Sequence, residues 1–377
     1  MTDITTWENE MTVRPMGRSI MRTAAAGGLA ALIAACASGA PTTASPGSVP
    51  SVAPTTASTT TPTPTPSKAA VASAVPSPGT TVGDGEEWIA YQQNASTGIY
   101  LIRLDGSGDH AAFPFVPGGE QLHPDWSPDG TRIAFSVDGD TRVIWAGDAD
   151  GSHTAKLVDC VAPCMWVDEG AWSLDGRSYI YHRMVGKDGV GVSTLEILDL
   201  ATNKTRVVLT APKGRAFYQP RWSPDSTRVV TEFAKMSSAA VDSDVIGVAL
   251  AIVDVTAAKP VAKEITQASE LTNSPDWSAA TDLIVFAQPS TSAGFDGPSD
   301  IVTIHPDGTG RTTVISVQPR GGQTPQPAWS PDGSWIIFVD PGSTMQTVKV
   351  DGSGLAPAVA TGGGTGLHPR YRPLSKT

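Results

Sequence analysis

Short apolar segments separated by polar turn residues occupy residues 121–158 and predict four consecutive β-strands. Tight turns are expected at SPDG (127–130) and at the Asp-Gly pair near residue 150, because proline fixes φ, aspartate bonds its own backbone and glycine accepts positive φ. The segment is therefore read as an antiparallel meander. Its strands are, in order, HPDW, TRIAFSV, TRVIWAGDA and TAKLV.

This unit is repeated along the chain. The tryptophan that ends its first strand recurs at intervals of 46 to 55 residues, each time before a turn sequence and an apolar segment. A degenerate sixth copy, HPRYRP (368–373), has Tyr371 in the tryptophan's place. A repeat of this length is typical of arrays of one structural unit. The tryptophans are Trp126, Trp172, Trp222, Trp277 and Trp329.

The two ends of the repeat region complement each other. The last copy stops after its first strand, whereas DGEEWIAY (84–91) resembles a second strand with no first strand before it. Together they make one complete unit and close a ring, as in a propeller rather than an open solenoid. The predicted fold is all-β: a six-bladed β-propeller of four-stranded antiparallel blades, closed by its N- and C-terminal strands.

The repeated W-S-P-D-G, its following apolar strand and its later D-G turn resemble the WD-like, Pro-Asp-containing repeat of TolB-type β-propellers, over about residues 84–373. The same repeat type occurs in the propellers of prolyl-oligopeptidase-type enzymes. The chain departs from it at Leu174, at Ser226 and at AAT (279–281). TolB proteins also carry an N-terminal α/β domain, which this chain replaces with a different segment. The resemblance implies a role in envelope assembly. The different N-terminal segment argues against that role.

Residues 1–35 are predicted to be a lipoprotein signal peptide. Arg14, Arg18 and Arg22 precede an apolar stretch at 24–35, which ends in small residues directly before Cys36. The pattern resembles bacterial lipoprotein signals, which implies cleavage before Cys36 and lipidation of its thiol. An ordinary secretory signal is the alternative, and Met11 and Met16 are alternative starts. The apolar stretch is too short to span a bilayer.

Residues 36–82 are predicted to form a disordered linker, and residues 83–377 the TolB-like propeller. The linker is rich in Thr, Pro, Ser and Ala and has almost no large apolar side chain to bury. Across the whole chain, 26 basic and 37 acidic residues give a net charge of −11. This balance provides no electrostatic attraction to nucleic acid or anionic lipid. We expect a monomer that meets the membrane only through its N-terminal lipid.

Cys160 and Cys164, in DCVAPCMW, are predicted to form a small disulfide. An exported protein lies in an oxidising compartment, and the two residues are close in sequence. Two free thiols and half of a metal site remain alternatives, although the chain has no second Cys/His pair with zinc spacing.

Sequence signatures of catalysis are absent. The chain has no G-x-S-x-G, no H-E-x-x-H and no Walker loop. The repeated tryptophans are expected to pack between blades, and Asp129 and its counterparts to form turns. We expect binding on the face with the longer loops, since long loops on a rigid scaffold commonly bind ligands. Those loops are 234–245, 288–299 and the Cys160/Cys164 loop with Trp166.

Polar residues precede each repeat tryptophan, and they supply the candidate binding site at the channel mouth. Strand alternation predicts that positions three and one before the tryptophan lie on the same side. The nearer positions repeat Arg-Asp-Ala twice and predict two Arg–Asp pairs on neighbouring blades. Around the ring, the farther set is His368, His123, Glu169, Gln219, Ser274 and Gln326, and the nearer set is Arg370, Asp125, Ala171, Arg221, Asp276 and Ala328.

Two interpretations of these residues stay open. In one, they line a water-filled channel and tie the innermost strands together. In the other, they bind a ligand or a divalent metal, for which His123, Glu169 and His368 are the candidate ligands. No other cofactor is expected.

The sequence favours a lipid-anchored, extracytoplasmic propeller that recognises a protein, peptide or glycan without catalysis. A propeller enzyme, such as a metal-assisted lyase or hydrolase acting at the channel mouth, is the alternative. A TolB-like envelope assembly factor is the third hypothesis. The expected location is the bacterial cell envelope, on the outer side of the cytoplasmic membrane, with export as the alternative.

Overall fold

The structure, a computed structural model, describes residues 86–93, 98–114, 116–241, 243–290, 294–296, 298–317, 324–340, 342, 344–359 and 366–373. The predicted signal peptide, the lipidated Cys36 and the predicted linker lie outside these residues. Within the described part of the chain, no helix is long and apolar enough to cross a membrane.

The described residues form six four-stranded antiparallel blades, which we number from the blade that contains the N-terminal strand. Contacts between successive innermost strands run from blade 1 through blade 6 and back to blade 1, so the ring is closed. The six-bladed propeller predicted from the repeat is confirmed. Blades 2 and 3 are further joined by a parallel bridge between Arg142 and Trp166.

The first three blades contain twelve strands. Blade 1 takes its innermost strand from the C-terminal end of the chain. Blade 1 consists of β24 (Gly366–Tyr371), β1 (Trp88–Gln93), β2 (Ile99–Arg103) and β3 (His110–Ala111); blade 2 of β4 (Glu120–Trp126), β5 (Arg132–Asp138), β6 (Arg142–Asp148) and β7 (Ala155–Val158); and blade 3 of β8 (Cys164–Trp172), β9 (Ser178–Lys187), β10 (Val190–Asp199) and β11 (Lys204–Thr210).

The other three blades follow the same order, and 3-10 turns occur at Ala268–Glu270 and Gly294–Asp296. Blade 4 consists of β12 (Arg215–Trp222), β13 (Arg228–Met236), β14 (Val245–Asp254) and β15 (Ala262–Glu264); blade 5 of β16 (Asn273–Trp277), β17 (Ile284–Pro289), β18 (Ser299–Ile304) and β19 (Thr312–Val317); and blade 6 of β20 (Ala328–Trp329), β21 (Trp335–Val339), β22 (Met345–Lys349) and β23 (Ala356–Pro357).

The ring closes where β24 pairs antiparallel with β1, with Ile89 opposite Tyr371 and Gln93 opposite Gly366. This is the pairing that the incomplete repeats at the two ends predict. It removes the open edge that either strand would otherwise present.

The Ser-Pro-Asp-Gly turns are held by one hydrogen-bond pattern. In blade 2 the Ser127 hydroxyl donates to Asp129 (Oγ···Oδ1 2.6 Å), and the Thr131 amide donates to the same carboxylate oxygen (3.0 Å). The 2.6 Å serine–aspartate hydrogen bond recurs in blades 3, 4 and 6. Asp129 and its counterparts therefore form turns, as predicted.

The repeat tryptophans pack between blades, as predicted. The Trp126 indole donates to the Arg370 carbonyl of blade 1 (3.2 Å), and the Trp222 indole donates to the Ala171 carbonyl of blade 3 (3.1 Å). Trp277 packs against apolar residues of blade 4, and Trp329 against those of blade 5. Burial of these large rings stabilises the contacts between neighbouring sheets.

All three expected long loops differ in extent from the prediction. In the loop expected at 288–299, β17 continues to Pro289 and β18 begins at Ser299. Strand β13 continues to Met236 and β14 begins at Val245, so residues 234–236 belong to a strand and the connection is 237–244. This connection lies against the β9–β10 hairpin, where the Gly191 amide donates to the Ala239 carbonyl (3.0 Å). Trp166, expected in the cysteine loop, lies in β8, because that strand begins at Cys164.

Candidate functional site

One residue lies three positions before each of the six repeat aromatics, and all six of these residues share an unusual backbone conformation. All are non-glycine residues in the left-handed region, with φ between 46° and 54°. This conformation is unfavourable for side chains with a Cβ, so the surrounding structure must stabilise it. The residues, here called the mouth ring, are His123, Glu169, Gln219, Ser274, Gln326 and His368.

The regular alternation expected for this segment is wrong. In β4 the pairing with β5 jumps from Leu122–Ser136 to Asp125–Ala134, which leaves an extra residue in β4. The same shift occurs in β8, β12, β16 and β24. Such a bulge re-aims side chains. The mouth ring and the residues one position before each aromatic therefore form two separate layers.

Side chains of the mouth ring bind the backbone of the next blade. Glu169 accepts the Gln219 amide N–H (3.2 Å), and Gln326 accepts the His368 amide N–H (2.8 Å). In blade 5 the acceptor for Ser274 is instead Glu232, from β13 (2.7 Å). These bonds support the left-handed residues and explain why the positions are polar.

His123 is oriented by a carboxylate on the next blade. Its Nδ1 lies 2.8 Å from Asp168 Oδ1, and the other oxygen of Asp168 is held by Arg142. Burial opposes ionisation of Asp168, but the charges of Arg142 and His123 outweigh it and hold its pKa well below the ordinary value. An ionised carboxylate only accepts hydrogen bonds, so Nδ1 donates to Asp168, and the other ring nitrogen, Nε2, lies 3.7 Å from Glu169 Oε1.

Glu169 lies between two imidazoles without a direct hydrogen bond to either. His123 Nε2 is 3.7 Å from Oε1, and His182 Nδ1 is 3.7 Å from Oε2. His182, from β9, is 1% exposed and meets the Tyr218 ring edge to face. Burial lowers the pKa of His182, so the ring is neutral at pH 7.

His368 and Glu232 complete the mouth. The His368 ring packs edge to face on His123, with centroids 4.4 Å apart, and burial together with the nearby charge of His123 holds its pKa well below the ordinary value. Burial and the nearby Glu169 raise the pKa of Glu232 to about 8. The mouth therefore combines neutral imidazoles with a protonated and an ionised carboxyl.

The second layer contains two arginines and two aspartates, here called the charged quartet: Arg370, Asp125, Arg221 and Asp276. Arg221 Nε lies 3.9 Å from Asp276 Oδ1, as the predicted Arg–Asp pair requires. The second predicted pair does not close: among the described residues no carboxylate oxygen lies within 4.0 Å of the Arg370 guanidinium. Burial and the charge of Arg221 lower the pKa of Arg370 to about 10.

The aspartates of the quartet are held by backbone donors. Asp125 accepts the Trp172 amide N–H (2.9 Å), and Asp276 accepts the Trp329 amide N–H (2.8 Å). Each bond joins one blade to the next. The predicted role of tying innermost strands together is thus carried by these two hydrogen bonds to the backbone as well as by the Arg221–Asp276 ion pair. Burial raises the pKa of Asp125 against the opposing effect of Arg221.

Four residues of the mouth were missed from the sequence: Arg142, Asp168, His182 and Glu232. Arg142, His182 and Glu232 lie on second or third strands, outside the segment before the tryptophan. Asp168 directly precedes Glu169, and alternation placed it on the opposite side. Among the described residues, one group has the spacing of metal ligands: His123, Asp168 and Glu169.

Cys160 and Cys164 form a disulfide in the structure. The bridge spans the connection between β7 and β8, on the face that also carries the 237–244 connection. Val161 within it is 72% exposed. This loop therefore presents an apolar side chain to solvent.

The comparisons with known proteins support the fold. TolB from Acinetobacter baumannii is 14% identical, with a TM-score of 0.56 over 77% of this chain and 67% of that one. Hydrazine synthase from Kuenenia stuttgartiensis is 11% identical, with a TM-score of 0.54 over 78% of this chain and 47% of that one. A putative TolB from Agrobacterium tumefaciens is 16% identical, with a TM-score of 0.49 over 73% of this chain and 89% of that one.

No protein-family model and no curated protein sequence matches the chain. At these identities the structural likeness establishes a TolB-like propeller fold and nothing about activity.

Proposed function

We propose that this protein is a lipid-anchored, extracytoplasmic recognition module that binds a protein, peptide or glycan at the channel mouth. The observation that carries the proposal is the mouth ring, in which six non-glycine residues share a left-handed backbone. Strained backbone of this kind is concentrated at functional sites, where it fixes side chains in place. A fixed polar ring suits a binding site, because little freedom is lost when a ligand binds.

The chemistry of the mouth favours a ligand rich in hydrogen-bonding groups. The mouth ring contains imidazole, carboxyl, amide and hydroxyl groups, the types of group that recognise peptide bonds or sugar hydroxyls. Beneath them lie the charged quartet and its hydrogen bonds between blades. A ligand that enters from the loop face would therefore meet first the mouth ring and then the charged quartet.

The proposed location rests on sequence and on chemistry. The lipoprotein-like leader and the Thr/Pro-rich linker of the sequence support a location outside the cytoplasm, with the propeller tethered to the membrane. The disulfide between Cys160 and Cys164 is consistent with an oxidising compartment.

Site-specific photocrosslinking tests the proposal. A photoreactive residue at Val161 samples the loop face, whereas one at Leu355, which is 55% exposed after the β22–β23 turn, samples the opposite face. We expect a discrete adduct in cells from position 161, a weaker one after His123→Ala, and none from position 355. Equal labelling from both positions, or labelling from position 161 that is unchanged by His123→Ala, would contradict binding at the mouth.

A metal-assisted lyase or hydrolase is the second candidate, favoured by the contact between His123 and Asp168. A carboxylate that orients an imidazole is the arrangement of a general base. Turnover of acidic polysaccharides or peptides by the purified chain, abolished by His123→Ala, would support it. No turnover with any metal added would leave recognition as the function.

A TolB-like envelope assembly factor is the third candidate, supported by the shared fold. The test is a pull-down of the protein's binding partners from membranes with and without peptidoglycan-associated lipoprotein. Capture of the same partners from both kinds of membrane would argue against this role.

A further inference from the structure

We propose that the charged quartet is an anion site, at which the Arg370 guanidinium receives a carboxylate group of the ligand. This inference rests on the recognition function proposed above and gives its ligand a chemical feature, a carboxylate that enters the channel beneath the mouth ring. Arg370 makes the direct contact, and Arg221 adds a second positive charge from blade 4.

Arg370 is a buried cation without a direct anionic partner. It is 8% exposed, and among the described residues no carboxylate oxygen lies within 4.0 Å of its guanidinium. Its Nε has no hydrogen-bond partner among these residues either. Buried arginines are almost always paired, because a charge that leaves water loses the solvation that stabilises it. Arg370 therefore has both the charge and the free donors for one more anionic group.

The side chains of Arg370 and Arg221 are oriented by the same contact. Arg370 Nη1 donates to the carbonyl of Pro369 (3.3 Å), and Arg221 Nη1 donates to the carbonyl of Pro220 (3.0 Å). In both residues Nε stays without a partner among the described residues. A guanidinium held through one Nη atom keeps its other N–H groups for a ligand, and its planar fork matches the two oxygens of a carboxylate.

The charged quartet lies around the axis of the ring. Its members come from blades 1, 2, 4 and 5. Burial lowers the pKa of Arg370 to about 10, the charge of Arg221 acts in the same direction, and the charges of Asp276 and Asp125 oppose it. Groups on four blades can act on one another in this way only near the axis that the innermost strands share. The Asp276 side chain is 17% exposed, so solvent reaches this layer of the channel.

The two aspartates of the quartet do not provide this partner. Asp125 accepts the Trp172 amide N–H and Asp276 accepts the Trp329 amide N–H, so both carboxylates are held at blade boundaries. Asp276 Oδ1 is 3.9 Å from Arg221 Nε, which is too long for a hydrogen bond. The aspartates balance the arginines in number, so one further negative charge is more favourable here than two. A monovalent carboxylate therefore fits the site better than a phosphate dianion does.

Saturation-transfer NMR of the purified full chain with acetate tests the site, with acetamide as the neutral analogue. Acetate reports the anion site without any other ligand, whereas crosslinking from position 161 reports recognition, so the two proposals can fail separately. We expect saturable binding of acetate and none of acetamide. Arg370→Gln removes the charge and should weaken acetate binding by about tenfold or more, as expected for hydrogen bonds to a charged group. The matched control is Arg177→Gln: Arg177 is exposed, and its loss should leave the affinity unchanged.

Three results would overturn the site. One is no saturable acetate binding by a chain whose near-ultraviolet circular dichroism shows it folded. Another is equal binding of acetate and acetamide. The third is an acetate affinity that Arg370→Gln leaves unchanged while it remains folded. If that variant unfolds, bromide located by anomalous diffraction in crystals of the unaltered protein replaces it: bromide beside the Arg370 guanidinium supports the site, and no bromide inside the ring overturns it.

Discussion

Asp125 accepts a hydrogen bond from the backbone N–H of Trp172, across the boundary between blades 2 and 3 (2.9 Å). Asp276 makes the same bond to Trp329 between blades 5 and 6 (2.8 Å). The two bonds occupy equivalent positions in the twofold Arg-Asp-Ala repeat around the ring. A buried carboxylate that accepts a backbone donor is a strong contact, and its loss leaves the donor without a partner.

Replacing Asp125 by alanine is therefore expected to lower the free energy of unfolding by about 1.5–3 kcal/mol, the usual range for a hydrogen bond to a charged group. Asp276→Ala should have a similar effect. Urea denaturation measures both. Asp140→Ala is the matched control, because Asp140 is exposed and makes no hydrogen bond or ion pair among the described residues. Equal stability of the Asp125 and Asp140 variants would contradict the role assigned to Asp125.

Ser226→Gly is expected to stabilise the protein by about 1 kcal/mol. Ser226 occupies the turn position filled by glycine in blades 2, 3 and 6, with φ 56°, and its buried hydroxyl has no hydrogen-bond partner among the described residues. Gly176→Ala is the converse variant. A Cβ there would meet only Pro128 Cγ at 3.6 Å, so the loss of stability would report the φ of 71° alone. Thermal unfolding compares the two, and a destabilised Ser226→Gly protein would refute the interpretation.

The acid sensitivity of the turns follows from Asp225. The Ser223 hydroxyl and the Thr227 amide bind its carboxylate and lower its pKa from 3.8 to about 2. A lowered pKa contributes stability above pH 3.8 that is lost as the pH falls through about 2. Ser223→Ala removes the largest cause, so the pKa of Asp225 should rise toward 3.8, as measured by carbon-detected NMR titration. An unchanged pKa would show that the serine does not act on this carboxylate.

The contribution of the Trp126 indole hydrogen bond to stability can be measured separately from the contribution of the packing of its ring. Trp126→Phe removes the hydrogen bond to the Arg370 carbonyl, whereas Trp172→Phe removes an indole N–H that has no partner among the described residues. We expect Trp126→Phe to cost about 1 kcal/mol more than Trp172→Phe in chemical denaturation. Equal losses would mean that only ring volume matters at these positions.

The repeat and its closure could be predicted because each depends on local chemistry. The Ser-Pro-Asp-Gly turn of residues 127–130 and the two incomplete copies at the ends specify strand order and ring closure without long-range information. The mouth could be predicted only in part. Its ring residues precede the tryptophans, but the bulges that displace them leave no simple mark in the pattern of apolar and polar residues.

The residues missed from the sequence come from other strands of the blades. Asp168 and His182 come together because β8 pairs with β9 in a register that places them directly opposite each other. Arg142 reaches Asp168 across the bridge between β6 and β8. Neither relationship follows from spacing along the chain, since both depend on how two strands or two blades align.

The pairing of β24 with β1 also determines when the ring can be completed during synthesis. Strand β1 is among the first parts of the propeller to leave the ribosome, but its partner at Gly366–Tyr371 is the last of the described propeller strands to be made. Until then β1 keeps an unpaired edge, and the Trp126 indole lacks its acceptor at Arg370. A chain cut short before residue 366 would expose that edge to proteases and chaperones, so the propeller is closed only when β24 is present.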